Sequence, residues 1–195
     1  MNPDDPMSAA YLETIEPIVA VKAARLVETK TRVRFAPQFP RETSTPYDAV
    51  CDAVCESENR HPAPARDCRC GFHAVPSRTD LWRLHFQKES VILDVELAGV
   101  VIEHEFGWRA GHQAILGVQL PATCTKRWCG RPVAGVAPFV PTAYQLGLDN
   151  CRQLRPVCSR CGKRRLIPVA DLASKLCVEV TVDGAAQSMV SVSGA

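Results

Sequence analysis

Two pairs of cysteines, Cys124-Thr-Lys-Arg-Trp-Cys129-Gly130 and Cys158-Ser-Arg-Cys161-Gly162, have the spacing of metal-binding loops. A tight loop lets both sulfurs of a pair face one ion, and a following glycine permits the left-handed backbone that closes such a turn. Two pairs together complete a tetrahedral tetrathiolate, with Zn–S distances of about 2.3 Å. The intervening residues carry apolar runs at 133–140 and 143–148, enough for a strand or two, so the segment has the outline of a zinc ribbon. Zn2+ is the preferred occupant. Four thiolates can also hold an iron–sulfur cluster, and four reduced, uncoordinated thiols are the plain alternative.

A second set lies upstream, in Cys51-Asp-Ala-Val-Cys55 and in His61-Pro-Ala-Pro-Ala-Arg-Asp-Cys68-Arg-Cys70-Gly71. Here Cys51, Cys55, His61, Cys68 and Cys70 are five donors for four positions of a second zinc, and the sequence leaves open which four. Cys68 and Cys70 would point to opposite faces of a flat strand. They can share an ion only if the backbone turns, which Gly71 permits. Pro62 and Pro64 stiffen the loop and argue against a helix through it. Of the remaining thiols, Cys151 has no close partner. Cys177 lies in a stretch where Leu172, Leu176 and Val180 recur at helical spacing, and is expected to be buried and inert.

Outside the cysteines, the densest polar cluster is His104-Glu105-Phe-Gly-Trp-Arg109-Ala-Gly-His112. A zinc protease would need two histidines four apart on a helix with glutamate between. The second histidine is eight away and Gly107 and Gly111 break a helix, so that reading fails. Glu103, His104, Glu105 and Arg109 remain candidates for a polar pocket able to move protons or bind an anion. The competing and favoured reading is a β-turn whose Arg109 pairs with Glu105 or caps backbone carbonyls. A third feature is charge. Residues 1–121 carry 13 Lys+Arg against 17 Asp+Glu, whereas 122–195 carry 10 against 4. Lys126, Arg127, Arg131, Arg152, Arg155, Arg160, Lys163, Arg164 and Arg165 coincide with the ribbon, and Trp128 stands among them. Such a face neutralises phosphates and stacks on bases, although nearby cations also serve to balance a tetrathiolate's own negative charge.

These groups need elements to hold them. Residues 17–35 are valine-rich and loosely alternating, and predict a strand, a short turn and a second strand. The prolines at 37, 40 and 46 mark a loop. Ser77-Arg-Thr-Asp80 reads as the start of a short helix carrying Leu81, Trp82, Leu84 and His85. The clearest β signal runs from Val91, where Val91, Leu93, Val95 and Leu97 alternate with Ile92, Asp94, Glu96 and Ala98. Gly99 marks a bend or bulge, 100–104 continues the strand, and a third run occupies 114–120. The expected fold is therefore α+β and mostly β. It comprises a flexible N-terminus (1–16), a β-rich domain with a meander and a Cys/His loop at 51–71 (17–121), a zinc-ribbon-like module with a short C-terminal helix (122–183), and a flexible tail (184–195).

Composition narrows the class. Apolar residues are 46% and charged residues 23%, close to the globular average, which argues against wholesale disorder. No stretch approaches the roughly 18 uncharged apolar residues of a spanning helix. The acidic first residues lack the basic and apolar regions of a secretory signal. A reducing, cytoplasmic setting follows, in which clustered cysteines bind metal more often than they form disulfides.

The combination HPAPARDCRCGFHA followed by GVVIEHEFGWRA resembles an uncharacterised cysteine-rich family from actinobacteria and their phages. Its pattern is H-P-x-P-x3-C-x-C-G-[FIY]-[HY]-A, then G-x-V-x-x-H-E-x-G-[WY]-R-A, and the likeness covers about residues 17–121. His61, Cys68, Cys70, Gly71, Ala74, Gly99, His104, Glu105, Gly107, Arg109 and Ala110 all stand in order. The resemblance implies no established activity, but its pairing of His61 with Cys68-x-Cys70 favours the second metal site. A shorter stretch, Gly71-Phe72-His73-Ala74-Val75-Pro76-Ser77, resembles the opening of ADP-ribosyltransferase-like folds. That likeness implies that His73 meets NAD and that Glu103 or Glu105 is catalytic.

The leading expectation is a non-enzymatic zinc protein with one zinc or two. Its basic face, Lys126, Arg127, Trp128, Arg131, Lys163, Arg164 and Arg165, would contact nucleic acid or an acidic protein. The alternative is a nucleotide- or NAD-utilising enzyme built on residues 71–109.

Overall fold

The computed structural model describes residues 11–39, 44–57, 60–83, 88–139 and 151–184, with side chains from residue 16 onward. The calls on 1–10, Leu84, His85, the run at 143–148 and the tail beyond Gly184 lie outside them. The alternation that begins at Val91 builds strand β5 (Val91–His104), on which Val91, Leu93, Val95 and Leu97 are fully buried. Each such side chain contributes about 1.5–3 kcal/mol of burial. The expected bend at Gly99 is a bulge, since pairing shifts between Ala98 and Val101. Glu105 and Phe106 then turn the chain into β6 (Gly107–Leu120), antiparallel to β5. The third run expected at 114–120 is only the second half of this strand. Residues 108–113, which carry the polar cluster, belong to it as well.

The other partner of β5 is β1 (Tyr11–Glu28), also antiparallel. It starts inside the segment expected to be flexible, because Tyr11, Leu12, Glu13 and Thr14 pair with Ile102, Val101, Val100 and Gly99. Thr29 donates twice across the following turn, its backbone N–H and its hydroxyl both reaching the Arg32 carbonyl at 2.9 Å. The chain then returns as β2 (Val33–Pro37) beside the end of β1. Strand, short turn and strand therefore follow the pattern read from 17–35.

The free edge of β6 positions the upstream cysteines. Strand β3 (Val50–Asp52) pairs antiparallel with Ala114, Gln113 and His112, and β4 (Phe72–Ala74) with Ala110, Arg109 and Trp108. The Cys/His loop is thus an excursion between two short strands laid end to end on one neighbour. Helix α1 (Arg78–Arg83) follows, with Ser77 Oγ 2.6 Å from an Asp80 carboxylate oxygen and accepting from the Asp80 N–H at 3.3 Å. This is the predicted start, a reciprocal cap.

The chain beyond 121 adds to the same sheet. Strands β7 (Gly135–Pro138), β8 (Arg152–Val157) and β9 (Ile167–Pro168) extend it from β1, and β10 (Glu179–Val182) lies parallel to β6, giving the order β10-β6-β5-β1-β8-β7-β9. The 121/122 boundary falls between strands of one mostly antiparallel sheet. Leu172 and Leu176 of α3 (Val169–Leu176) join the main core, while α1 covers the other face through Val21, Val75, Leu81 and Ile92. Cys177 is not the buried thiol expected: α3 ends there, the residue takes a left-handed conformation (φ 55°) and its side chain is exposed. Cys151 is partly buried against Val27 and Ala36. Among the described residues no helix is long and apolar enough to cross a membrane.

Two buried positions on β1 are charged: Arg25, 2% exposed, and Lys22. Between Ala20 and Ala24, Lys22 is 8% exposed. Its ammonium donates to Gln113 Oε1 at 2.9 Å and lies 5.1 Å and 4.9 Å from the ring centroids of Tyr47 and Phe72. Burial pulls its pKa down to about 8. The Tyr47 hydroxyl beside it is buried without a hydrogen-bond partner among the described residues.

Candidate metal centres

Among the described residues two clusters could hold a metal ion: Cys124, Cys129, Cys158 and Cys161, and Cys55, His61, Cys68 and Cys70. In each, one donor atom from every residue lies within 4.8 Å of all the others.

The first cluster is made by two backbone knuckles. In one, the Cys124 N–H donates to Arg131 O at 2.7 Å and the Cys129 N–H to Lys126 O at 3.1 Å. In the other, the N–H groups of Cys161 and Gly162 donate to Cys158 O at 3.1 and 3.0 Å, opening the short helix α2 (Ser159–Gly162). Thr125 ties the first knuckle to β8, its hydroxyl donating to Pro156 O at 2.8 Å. The Cys129 sulfur lies 3.7 Å from that of Cys158 and 3.7 Å from that of Cys161. A regular ZnS4 tetrahedron with bonds near 2.3 Å has edges of about 3.8 Å. The two glycines serve different ends. Gly130 is left-handed (φ 63°) as expected, but Gly162 is not, and the residue after it, Lys163, carries the positive φ of 46° instead. Gly162 is required for space: a Cβ there would lie 2.7 Å from Leu166 Cδ1 and 2.9 Å from Leu166 Cβ.

Electrostatics within this cluster are those of crowded thiols. Burial and the neighbouring sulfurs of Cys129, Cys158 and Cys124 push Cys161 up to about 12. Burial acts on Cys158 in the same direction, but hydrogen bonds from the Cys161 backbone and the neighbouring thiols hold it at about 7. A divalent cation removes the conflict, since it favours every thiolate it binds.

In the upstream cluster Cys55 rather than Cys51 completes the set. Cys55 Sγ lies 3.7 Å from Cys68 Sγ and 3.2 Å from His61 Nε2. His61 Nδ1 is 2.9 Å from Pro62 O, which can only accept, so Nδ1 carries a proton and Nε2 is the nitrogen left to bind an ion. That carbonyl contact is the usual way a ligating imidazole is oriented. Ser57, through its hydroxyl and its backbone, holds the Cys55 thiol down to about 6. Burial, then Cys68 and Cys55, push Cys70 up to about 11. Gly71, at φ 111°, makes the turn that brings Cys68 and Cys70 to one side. Cys51 sits on β3 and faces inward: its thiol donates to Asp48 O at 3.4 Å, and Gln113 Nε2 donates to its sulfur at 3.7 Å.

The polar cluster of 103–112 turns out to serve this loop. Arg109 is 5% exposed. Its Nη1 donates to the carbonyls of Cys68 and Cys70, the latter at 3.3 Å, and its Nε donates to His104 Nε2 at 2.7 Å. The carbonyl-capping reading of Arg109 holds, with carbonyls of the Cys/His loop rather than those of its own turn, and no Glu105 partner is seen among the described residues. Burial and the Arg109 charge push His104 below its ordinary range, keeping it a neutral acceptor. His73 Nε2 contacts Arg69 O at 3.1 Å. Glu103 and Glu105 are exposed at the hairpin end.

The basic residues are where the sequence placed them. Lys126, Arg127, Trp128, Arg131, Lys163, Arg164 and Arg165 are all exposed, as is Arg160, and all lie on the segments that carry the Cys124–Cys161 sulfurs. Trp128 is 89% exposed with a left-handed backbone (φ 63°), and the Arg127 guanidinium stacks on it at 5.1 Å. The buried Lys22–Gln113–Cys51 group was not anticipated. Its only trace in the sequence is a lysine at an inward position between alanines. Comparison with protein-family models, with curated proteins and with solved structures finds no match to this chain.

Proposed function

We propose that the protein is a zinc-binding, non-enzymatic binding module of the cytoplasm, a member of the cysteine-rich family it resembles, with a zinc ribbon at Cys124, Cys129, Cys158 and Cys161. The basic face of that ribbon contacts nucleic acid or an acidic protein. The observation that carries the reading is the 3.7 Å spacing of sulfurs from two separate knuckles, which is the edge of a zinc tetrathiolate. A structural zinc contributes folding free energy on the order of 10 kcal/mol in small modules, which suits a segment of short strands and loops. Seven surrounding cations outweigh the formal −2 of such a centre, so neutralising the metal site does not use them up. The second zinc belongs to Cys55, His61, Cys68 and Cys70, with the carbonyl-bound imidazole and the buried Arg109 as its supports.

Metal analysis of protein purified without chelator tests this directly, and two zinc per chain are expected. Iron with a visible chromophore, or no metal at all, would overturn it. Lys163→Glu, Arg164→Glu and Arg165→Glu together are expected to remove partner binding at unchanged zinc content. Glu105→Gln is expected to leave fold, metal and binding as they were.

A further inference from the structure

We infer that the partner of the basic ribbon face is single-stranded nucleic acid, held by stacking of an unpaired base on Trp128 while the surrounding cations take the backbone. This inference rests on the binding reading above and adds the class of ligand.

Trp128 is the observation that points there. An indole 89% exposed leaves nearly all of its apolar surface in water, with no apolar side chain over it among the described residues. Its backbone is also left-handed at φ 63°, a conformation that costs a non-glycine residue free energy and that Gly130 adopts nearby without strain. Neither folding nor turn geometry asks for tryptophan at this position; glycine would serve both better. What the ring offers is a flat face at the tip of a metal-locked knuckle. Arg127 already stacks against it at 5.1 Å, which leaves a planar cation and an aromatic plane side by side.

The charges are arranged to match. Lys126, Arg127 and Arg131 lie exposed on the same knuckle as the ring, and Arg160, Lys163, Arg164 and Arg165 lie exposed on the other. The sulfur contacts from Cys129 to Cys158 and Cys161 hold the two knuckles together. None of these seven cations forms a salt bridge among the described residues, whereas Arg32, Arg34, Arg78 and Arg83 all do. A duplex keeps its base faces stacked internally, so it would engage the cations through its phosphates and give the indole no face to stack on. A single strand offers both phosphates and free base faces. An acidic protein would satisfy the cations and could take the indole into a pocket as an anchor, and it is the outcome that the test separates from a nucleic acid.

The test uses full-length, zinc-loaded protein and fluorescein-labelled 12-mers of oligothymidylate and oligouridylate, with a mixed-sequence DNA duplex of equal length, read by anisotropy across salt concentrations. Single strands are expected to bind more tightly than the duplex. For three to seven phosphates engaged, log K should fall against log salt with a slope between about −2 and −5. Trp128→Gly suits the left-handed backbone and so preserves the knuckle. It is expected to weaken single-strand binding about tenfold and duplex binding less than twofold. Trp128→Phe should recover most of the loss. If the duplex binds as tightly as the single strands, or Trp128→Gly changes neither affinity, base stacking is wrong while the basic-face reading stands. If no polynucleotide binds even at low salt, the nucleic-acid reading fails with it, and an acidic protein partner takes its place.

Discussion

Replacing Lys22 by methionine is expected to stabilise the protein below pH 8 and to remove a pH dependence that the wild type shows above it. In the folded chain burial lowers the lysine pKa from 10.5 to about 8. The unfolded chain keeps the ordinary value, so between those two pH values it binds more protons than the folded chain, and stability rises with pH across that window. Below pH 8 the full cost of a buried charge is present. A shift of that size corresponds to about 3 kcal/mol. The two rings near 5 Å oppose it, because each favours the ammonium by about 0.5–2 kcal/mol. A rise of about 1–3 kcal/mol between pH 8 and 10.5 is therefore expected. Cys51 complicates the raw curve: burial raises its thiol above 9.0, so it retains a proton that the unfolded chain has lost, and stability falls as pH climbs. The informative quantity is the difference between wild type and Lys22→Met, in which the metal ligands largely cancel; Cys51 does not cancel fully, because loss of the Lys22 charge raises its thiol further. Urea unfolding at fixed free zinc, at pH 7, 8, 9, 10 and 10.5, measures it. Methionine fills the space of the lysine stem, so the variant should be the more stable at pH 7 by about 1–3 kcal/mol, with the gap closing by pH 10.5. A gap independent of pH, or one that widens, would refute the reasoning.

Arg109→Gln leaves the two loop carbonyls of Cys68 and Cys70 and the His104 ring without their buried donor. It should cost about 2–4 kcal/mol in unfolding free energy and release zinc from the upstream site at lower chelator concentration than from Cys124, Cys129, Cys158 and Cys161. Equal loss from both sites would count against it. Gly162→Ala places a methyl against Leu166 and should lower stability by about 1–3 kcal/mol, whereas Gly130→Ala, with open space around it, should cost only the strain of its left-handed backbone, about 1 kcal/mol. Thermal unfolding of the two variants side by side decides it.

How far this fold could be read in advance depended on whether the signal was local. The Cys124–Cys161 set was legible because both pairs are closed by loops of a few residues, and their spacing is a property of the knuckle itself. Which upstream cysteine joins His61, Cys68 and Cys70 was not legible, because it depends on β3. Three residues of strand place Cys51 on the inward face beside Gln113, and only the partner strand, some sixty residues later, creates that face. The 103–112 cluster looked like a turn or a pocket since glycines interrupt it. In fact Gly111 sits in mid-strand because the loop crosses there, with Ala63 O 2.7 Å from where a Cβ would be. Glycine as a sign of close backbone approach was the available clue. The burial of Lys22 had no local cue beyond its alanine neighbours. The pairing of β10 with β6 and of β8 with β1 joins residues far apart in sequence, and no composition or period announces it.

Strand β1 touches both ends of the chain's history, pairing with β5 early and with β8 only once the chain extends some 120 residues beyond β1 itself. A nascent or truncated chain ending before β8 therefore carries open backbone along Leu26, Val27 and Glu28, and a second bare rim on β6 where β10 should lie. Such rims recruit other copies of themselves. Because Cys158 follows directly on β8, an ion bound at the last knuckle would also anchor the strand that seals the first rim. Metal supply during synthesis would then govern how much of this protein escapes aggregation.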